Sequence, residues 1–163
     1  MAAATCDYVP TSEARAREML TLAGVKEGEV VYDLGCGTGE ILLVAAEEFG
    51  ARCFGIEVNS RLAAWAREEV EKRGLGDRIK IFQGNIFEPR FWLHLGGERS
   101  IAIANADVVT YYLTLWVQEE LKPLIEKELR RGARVVSREF KVMGWNPVKA
   151  RNGIYLFEKG RSF

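Results

Sequence analysis

Three glycines at alternate positions, Gly35, Gly37 and Gly39, stand in the run Asp33-Leu34-Gly35-Cys36-Gly37-Thr38-Gly39, with an acid ahead of the first and another, Glu40, behind the last. Glycine lets a chain turn sharply and bring its backbone against a ligand with no Cβ between them. A dinucleotide loop is spaced G-x-G-x-x-G and a P-loop ends in Gly-Lys-Ser/Thr; this run does neither. Its flanking acids would repel a pyrophosphate. They suit a phosphate-free ligand that carries positive charge, and S-adenosylmethionine, with its ammonium and sulfonium, is such a ligand. Glu57 follows about 20 residues after the first glycine, where an acid in nucleotide-binding α/β folds accepts hydrogen bonds from ribose hydroxyls. Asn85 and Ile86, in Gln83-Gly84-Asn85-Ile86, stand where a chain leaving the next strand would face the adenine.

The elements that must position these residues alternate. A helix over 13–23 is bracketed by Ser12 as N-cap and Gly24 as its stop. Strands are predicted at 30–34, 53–56, 79–83, 107–113, 134–137 and 154–157. Helices are predicted at 38–49, from a Ser60 cap to 73, and at 119–131 with Pro123 inside. Several strands are unbroken apolar runs, the pattern of a parallel sheet covered by helices on both faces. The fold class is therefore α/β, a three-layer Rossmann-like architecture with a mostly parallel central sheet, as one domain over residues 1–163. Ligands of such sheets lie beyond the carboxyl ends of the strands. Asp33–Gly39, Glu57, Asn85 and Thr110–Tyr112 all fall at or after a strand end.

Composition narrows the classes. Lys plus Arg number 23 and so do Asp plus Glu, which gives no general pull toward nucleic acid or acidic membranes. No apolar run approaches the roughly 18 residues that span a bilayer, and the start MAAATCDYVP has no signal-peptide pattern. Cys6, Cys36 and Cys53 have no metal-ligand spacing and read as reduced thiols of a cytoplasmic protein. A single histidine, His94, argues against a Ser-His-Asp triad or a multi-histidine metal site.

The loop Asp33–Gly39 with Glu57 resembles motif I and its acidic partner in class I S-adenosylmethionine-dependent methyltransferases. A narrower resemblance surrounds it: Tyr8-Val9-Pro10-Thr11, Val108-Val109-Thr110-Tyr111-Tyr112-Leu113-Thr114, Leu121-Lys122-Pro123, Arg134-Val135-Val136-Ser137-Arg138-Glu139-Phe140 and Gly144-Trp145-Asn146-Pro147 are similar to segments of the small archaeal protein-lysine methyltransferases and their mitochondrial relatives. The resemblance implies that S-adenosylmethionine is held by Tyr8, Thr11, Asp33, Gly35, Gly37, Gly39, Glu57, Asn85, Ile86 and Thr110, with the Tyr8–Thr11 segment closing over it. It implies lysine-bearing proteins as partners, with Thr110–Tyr112 bordering the acceptor. The family usually has other large apolar residues where this chain has Tyr111 and Tyr112, and the stretch 87–106 is longer than usual.

Methyl transfer to an amine needs no metal and no covalent enzyme intermediate. Positioning and desolvation do most of the work. Tyr111, Tyr112 and Trp145 are candidates to wall the acceptor channel through their ring faces, with burial in the core as the alternative. Methylation of a small molecule or a nucleic-acid base remains a second reading, although no Asn/Asp-Pro-Pro-Tyr/Phe run follows the fourth strand. A third is a non-catalytic S-adenosylmethionine-binding module.

Overall fold

The computed structural model describes residues 8–88 and 103–163. In chain order the elements are α1 (Glu13–Ala23), β1 (Val30–Leu34), α2 (Glu40–Phe49), β2 (Arg52–Glu57), α3 (Ser60–Lys72), β3 (Ile79–Gln83), a 3-10 turn (Ile103–Asn105), β4 (Val108–Tyr111), α4 (Leu115–Glu128), β5 (Arg134–Arg138), β6 (Lys149–Arg151) and β7 (Ile154–Glu158). The strands form one sheet in the order β3-β2-β1-β4-β5-β7-β6. The first four pairings in that order, from β3 to β5, run parallel, and β7 and β6 add an antiparallel edge.

β1 pairs with β2 on one side and β4 on the other, so it is buried on both faces, as its apolar run demands. Successive side chains of a strand alternate between faces. Val31 and Val108 point into a core built with α1, α2 and α3, around Met19, Leu20, Leu42 and Ala66. Tyr32, Leu34, Val109 and Tyr111 point into the other, which holds Val117, Leu121 and Ile125 of α4. After β1 the chain winds outward through β2 and β3, then returns to the other side of β1 with β4. The crevice between β1 and β4 is the topological switch point where such sheets bind ligands.

Four local expectations are corrected. Asn59, not Ser60, caps α3, its Oδ1 accepting from the N–H groups of Arg61 and Leu62. α2 starts at Glu40 because Gly37 and Gly39 hold positive φ, 55° and 91°, which no right-handed helix admits. α4 starts at Leu115, earlier than the expected 119. The edge strand β6 was not foreseen; Asn152 and Gly153, at φ 51° and 72°, join it to β7 in a two-residue turn. Among the described residues no helix is long and apolar enough to cross a membrane.

Candidate functional site

The end of β1 and the glycine loop form the floor of the site. The N–H groups of Gly35 and Cys36 both donate to the Ile56 carbonyl, at 2.8 and 3.0 Å, which ties the loop to the end of β2. The N–H of Gly37 donates to Glu57 Oε2 at 2.8 Å, and the other oxygen of Glu57 accepts from the Asn59 N–H at 2.9 Å. Glu57 is buried. A carboxylate offers about four acceptor positions, so two remain for a ligand.

Asp33 is also buried, and its Oδ1 accepts from the Thr110 hydroxyl at 2.9 Å across the β1–β4 pairing. Burial pushes its carboxyl up to about 7; the Thr110 hydrogen bond opposes this, and the charges of Glu40 and Glu57 add to it. Among the described residues, Asp33, Glu40 and Glu57 form no ion pair. Three carboxylates around a glycine-rich loop, none of them ion-paired among the described residues, fit a cationic ligand without phosphate. S-adenosylmethionine matches that chemistry; a pyrophosphate does not.

Tyr8 lies against the loop from outside. A Cβ built on Gly37 would stand 2.3 Å from Tyr8 Cε2, so glycine is required there for space as well as for φ. Thr38 Oγ1 donates to Glu40, so the 2.5 Å contact between Tyr8 and Thr38 has the Tyr8 hydroxyl as donor. Thr11 is buried and accepts from Arg138 Nη1 at 3.2 Å, which fastens the N-terminal segment to the end of β5. Asn85 turns the chain after β3, its Oδ1 accepting from the Phe87 N–H at 3.0 Å. Ile86 packs against the α4-side core.

Strand parity separates the two tyrosines. Tyr111 goes into the α4-side core with 1% of its surface exposed, and burial pushes its hydroxyl well above the usual range. Tyr112, beyond the strand, donates its hydroxyl to Glu139 Oε2 at 2.6 Å, and the Arg138 guanidinium sits 4.3 Å from its ring centre. Trp145 is a core residue: 2% exposed, stacked 3.7 Å from Phe163, with Nε1 donating to Glu126 Oε1. His94 and most of the long stretch 87–106, residues 89–102, lie outside the described residues.

Sequence reasoning did not single out Arg138 and Glu139 for the Tyr112 surroundings, because ring stacking between strand ends leaves no local pattern. It also missed Gln118. That residue interrupts the buried stripe Val117, Leu121, Ile125 of α4. A polar residue on an apolar stripe was the available signal, and starting the helix at 119 left it outside.

A profile of the ANTKMT methyltransferase domain matches residues 33–149. The chain is 41% identical over 162 residues to a protein-lysine N-methyltransferase of Saccharolobus islandicus, covering 94% of this chain and 93% of that one. It is 29% identical to the adenine nucleotide translocase lysine N-methyltransferase of Mus musculus, over 86% of this chain and 56% of that protein. Among solved structures, an RNA methyltransferase from Salinibacter ruber in complex with S-adenosyl-L-homocysteine superposes with a TM-score of 0.80 at 34% identity, covering 94% of each chain.

Proposed function

The chain belongs to the ANTKMT methyltransferase domain family, and on that premise we propose that it transfers the methyl group of S-adenosylmethionine to the side-chain amine of lysine in a broad range of proteins. The observation that carries the cofactor half is the glycine loop at the β1–β4 switch point, ringed by Asp33, Glu40 and Glu57, which form no ion pair among the described residues. The Saccharolobus relative, alike over nearly the whole chain, supports the acceptor half.

S-adenosylmethionine supplies a methyl carbon already activated by a sulfonium. The residues of this chain bind and orient. Asp33 and Glu57 receive the cationic and hydroxyl donors of the ligand. Gly35, Gly37 and Gly39 let it approach the backbone, and Thr110 holds the Asp33 carboxylate in place. Asn85 and Ile86 border the adenine, and Tyr8 and Thr11 belong to the segment that closes over it. Tyr112 stands at the acceptor side. Tyr111 supports that side from the core, holding the end of β4 in register.

The acceptor must lose a proton first. With a free pKa near 10.4, a neutral lysine amine at pH 7 costs about 4.6 kcal/mol. A desolvated channel beside a sulfonium lowers that cost, so no dedicated base is needed. The cytoplasmic setting is part of the proposal; Cys36 and Cys53 are free and buried.

A second reading, an RNA base as acceptor, is favoured by the Salinibacter structure. The balanced charge of 23 basic and 23 acidic residues weighs against it. Incubation with radiolabelled cofactor, a protein extract and total RNA in separate reactions tests the choice: label in protein lysine is expected, and label confined to RNA would replace it.

A further inference from the structure

Three residues join β4 to α4, whose first turn begins at Leu115. Gln118 lies in that turn, its N–H donating to the Thr114 carbonyl at 3.0 Å, and only 1% of it is exposed. Its Nε2 donates to the Leu113 carbonyl at 2.7 Å. Its Oε1 is buried and has no hydrogen-bond partner among the described residues. Turning the amide over would face two carbonyl oxygens against each other, so the orientation is fixed by chemistry. A buried acceptor without a donor is rare enough to need a reason.

Its place suggests one. Leu113 leads out of β4, and its Cδ2 comes within 3.1 Å of where a Cβ on Gly35 would stand. The strand exit therefore lies over the glycine loop, and Gln118 is anchored to that exit. Outside it, Leu115 and Trp116 on the same turn are exposed apolar residues. A hydrogen-bond donor on a long aliphatic stem, brought to this turn past such a rim, would find in the Gln118 oxygen an acceptor with no other partner among the described residues.

We infer that Gln118 Oε1 accepts a hydrogen bond from the acceptor amine and aims its lone pair at the methyl group. The inference rests on the lysine reading above. In the transfer the nitrogen lone pair forms the new N–C bond, and the S–C bond breaks with its pair going to sulfur. The resulting methylammonium gives a proton to solvent. Gln118 takes no proton; it orients.

The sequence makes the test direct. Gln83 and Gln118 are its two glutamines, so glutamine-selective 15N labelling yields two side-chain amide pairs, assigned with Gln83→Asn. In wild-type protein loaded with S-adenosylhomocysteine, n-butylamine, which mimics the lysine stem and amine, should move the Gln118 pair saturably and leave Gln83 in place. Gln118→Met, which keeps the length without polar atoms, should lower kcat/KM for protein lysine by about tenfold or more, with S-adenosylmethionine affinity within twofold of wild type. An unmoved Gln118 signal overturns the inference, and so does a Gln118→Met enzyme as fast as wild type. A comparable loss of cofactor affinity overturns it too, since Gln118 would then serve the cofactor. The spectra need no variant at Gln118, so they decide even if Gln118→Met does not fold. A wild-type protein that binds cofactor yet methylates no lysine would instead sink the lysine reading.

Discussion

Glu57 Oε2 accepts the N–H of Gly37 at 2.8 Å, so the acid at the end of β2 and the middle glycine of the loop after β1 are one unit. The carboxylate braces the loop, and in the proposed function it also receives the ligand.

Glu57→Ala should therefore fail twice. It removes a hydrogen-bonding carboxylate from the ligand, and a charge-assisted bond is worth about 1.5–3 kcal/mol, so cofactor affinity should fall roughly tenfold or more. It also leaves the N–H groups of Gly37 and Asn59 without their acceptor. At about 1–3 kcal/mol per buried group, and 2–4 °C per kcal/mol at roughly this chain length, Tm should drop by several degrees while the chain stays folded. Calorimetric titration and a thermal melt check both; a variant with unchanged affinity and Tm would contradict the role given to Glu57.

Asp33 predicts a pH dependence. Its carboxyl is raised from 3.8 to about 7 by burial, so the folded ligand-free protein holds this proton more tightly than the unfolded chain does. The stabilisation is fully present below pH 4 and is lost as pH rises through 7. Over about three units the difference is on the order of 4 kcal/mol. Ligand-free Asp33→Asn should lose that slope between pH 4 and 7. A cationic ligand reverses the preference, so S-adenosylmethionine should bind more tightly as pH rises from 5 to 7 and should release a proton. Titrations in buffers of different ionisation enthalpy measure that proton; finding none released would refute the pairing of Asp33 with a ligand cation.

Gly37→Ala meets two obstacles, a φ of 55° and the Tyr8 ring at 2.3 Å from the new Cβ. The backbone strain costs about 1–2 kcal/mol and the clash displaces Tyr8. Cofactor affinity should fall tenfold or more. Adding Tyr8→Ala removes the clash but not the strain, so the double variant should recover Tm in part and affinity hardly at all, because the closing segment is then lost. Full recovery of affinity in the double variant would deny Tyr8 a place in the site.

Much of this was legible in the chain. Ser12 and Gly24 bracket α1 because capping chemistry is local, and the acid-flanked glycines marked the loop because their backbone demands are local too. What was not legible depends on partners far along the sequence. The Thr110 hydroxyl reaches Asp33 only through the β1–β4 pairing. Arg138 reaches Tyr112 only because β5 lies beside β4. Strand alternation alone puts Thr110 and Tyr111 on opposite faces, but which of the two buried faces holds the site and which packs on α4 required the position of α4. β6 is three exposed residues without an apolar pattern, although Asn152-Gly153 is a hairpin turn signal that was there to be read.

The most direct test of the central claim is mass spectrometry of a protein mixture incubated with the enzyme and S-adenosylmethionine, beside the same reaction with Asp33→Ala. Methyl increments on lysine side chains of several proteins, absent with Asp33→Ala, are the predicted result. Methylation found only on RNA, DNA or small metabolites, with every lysine unmodified, would contradict it.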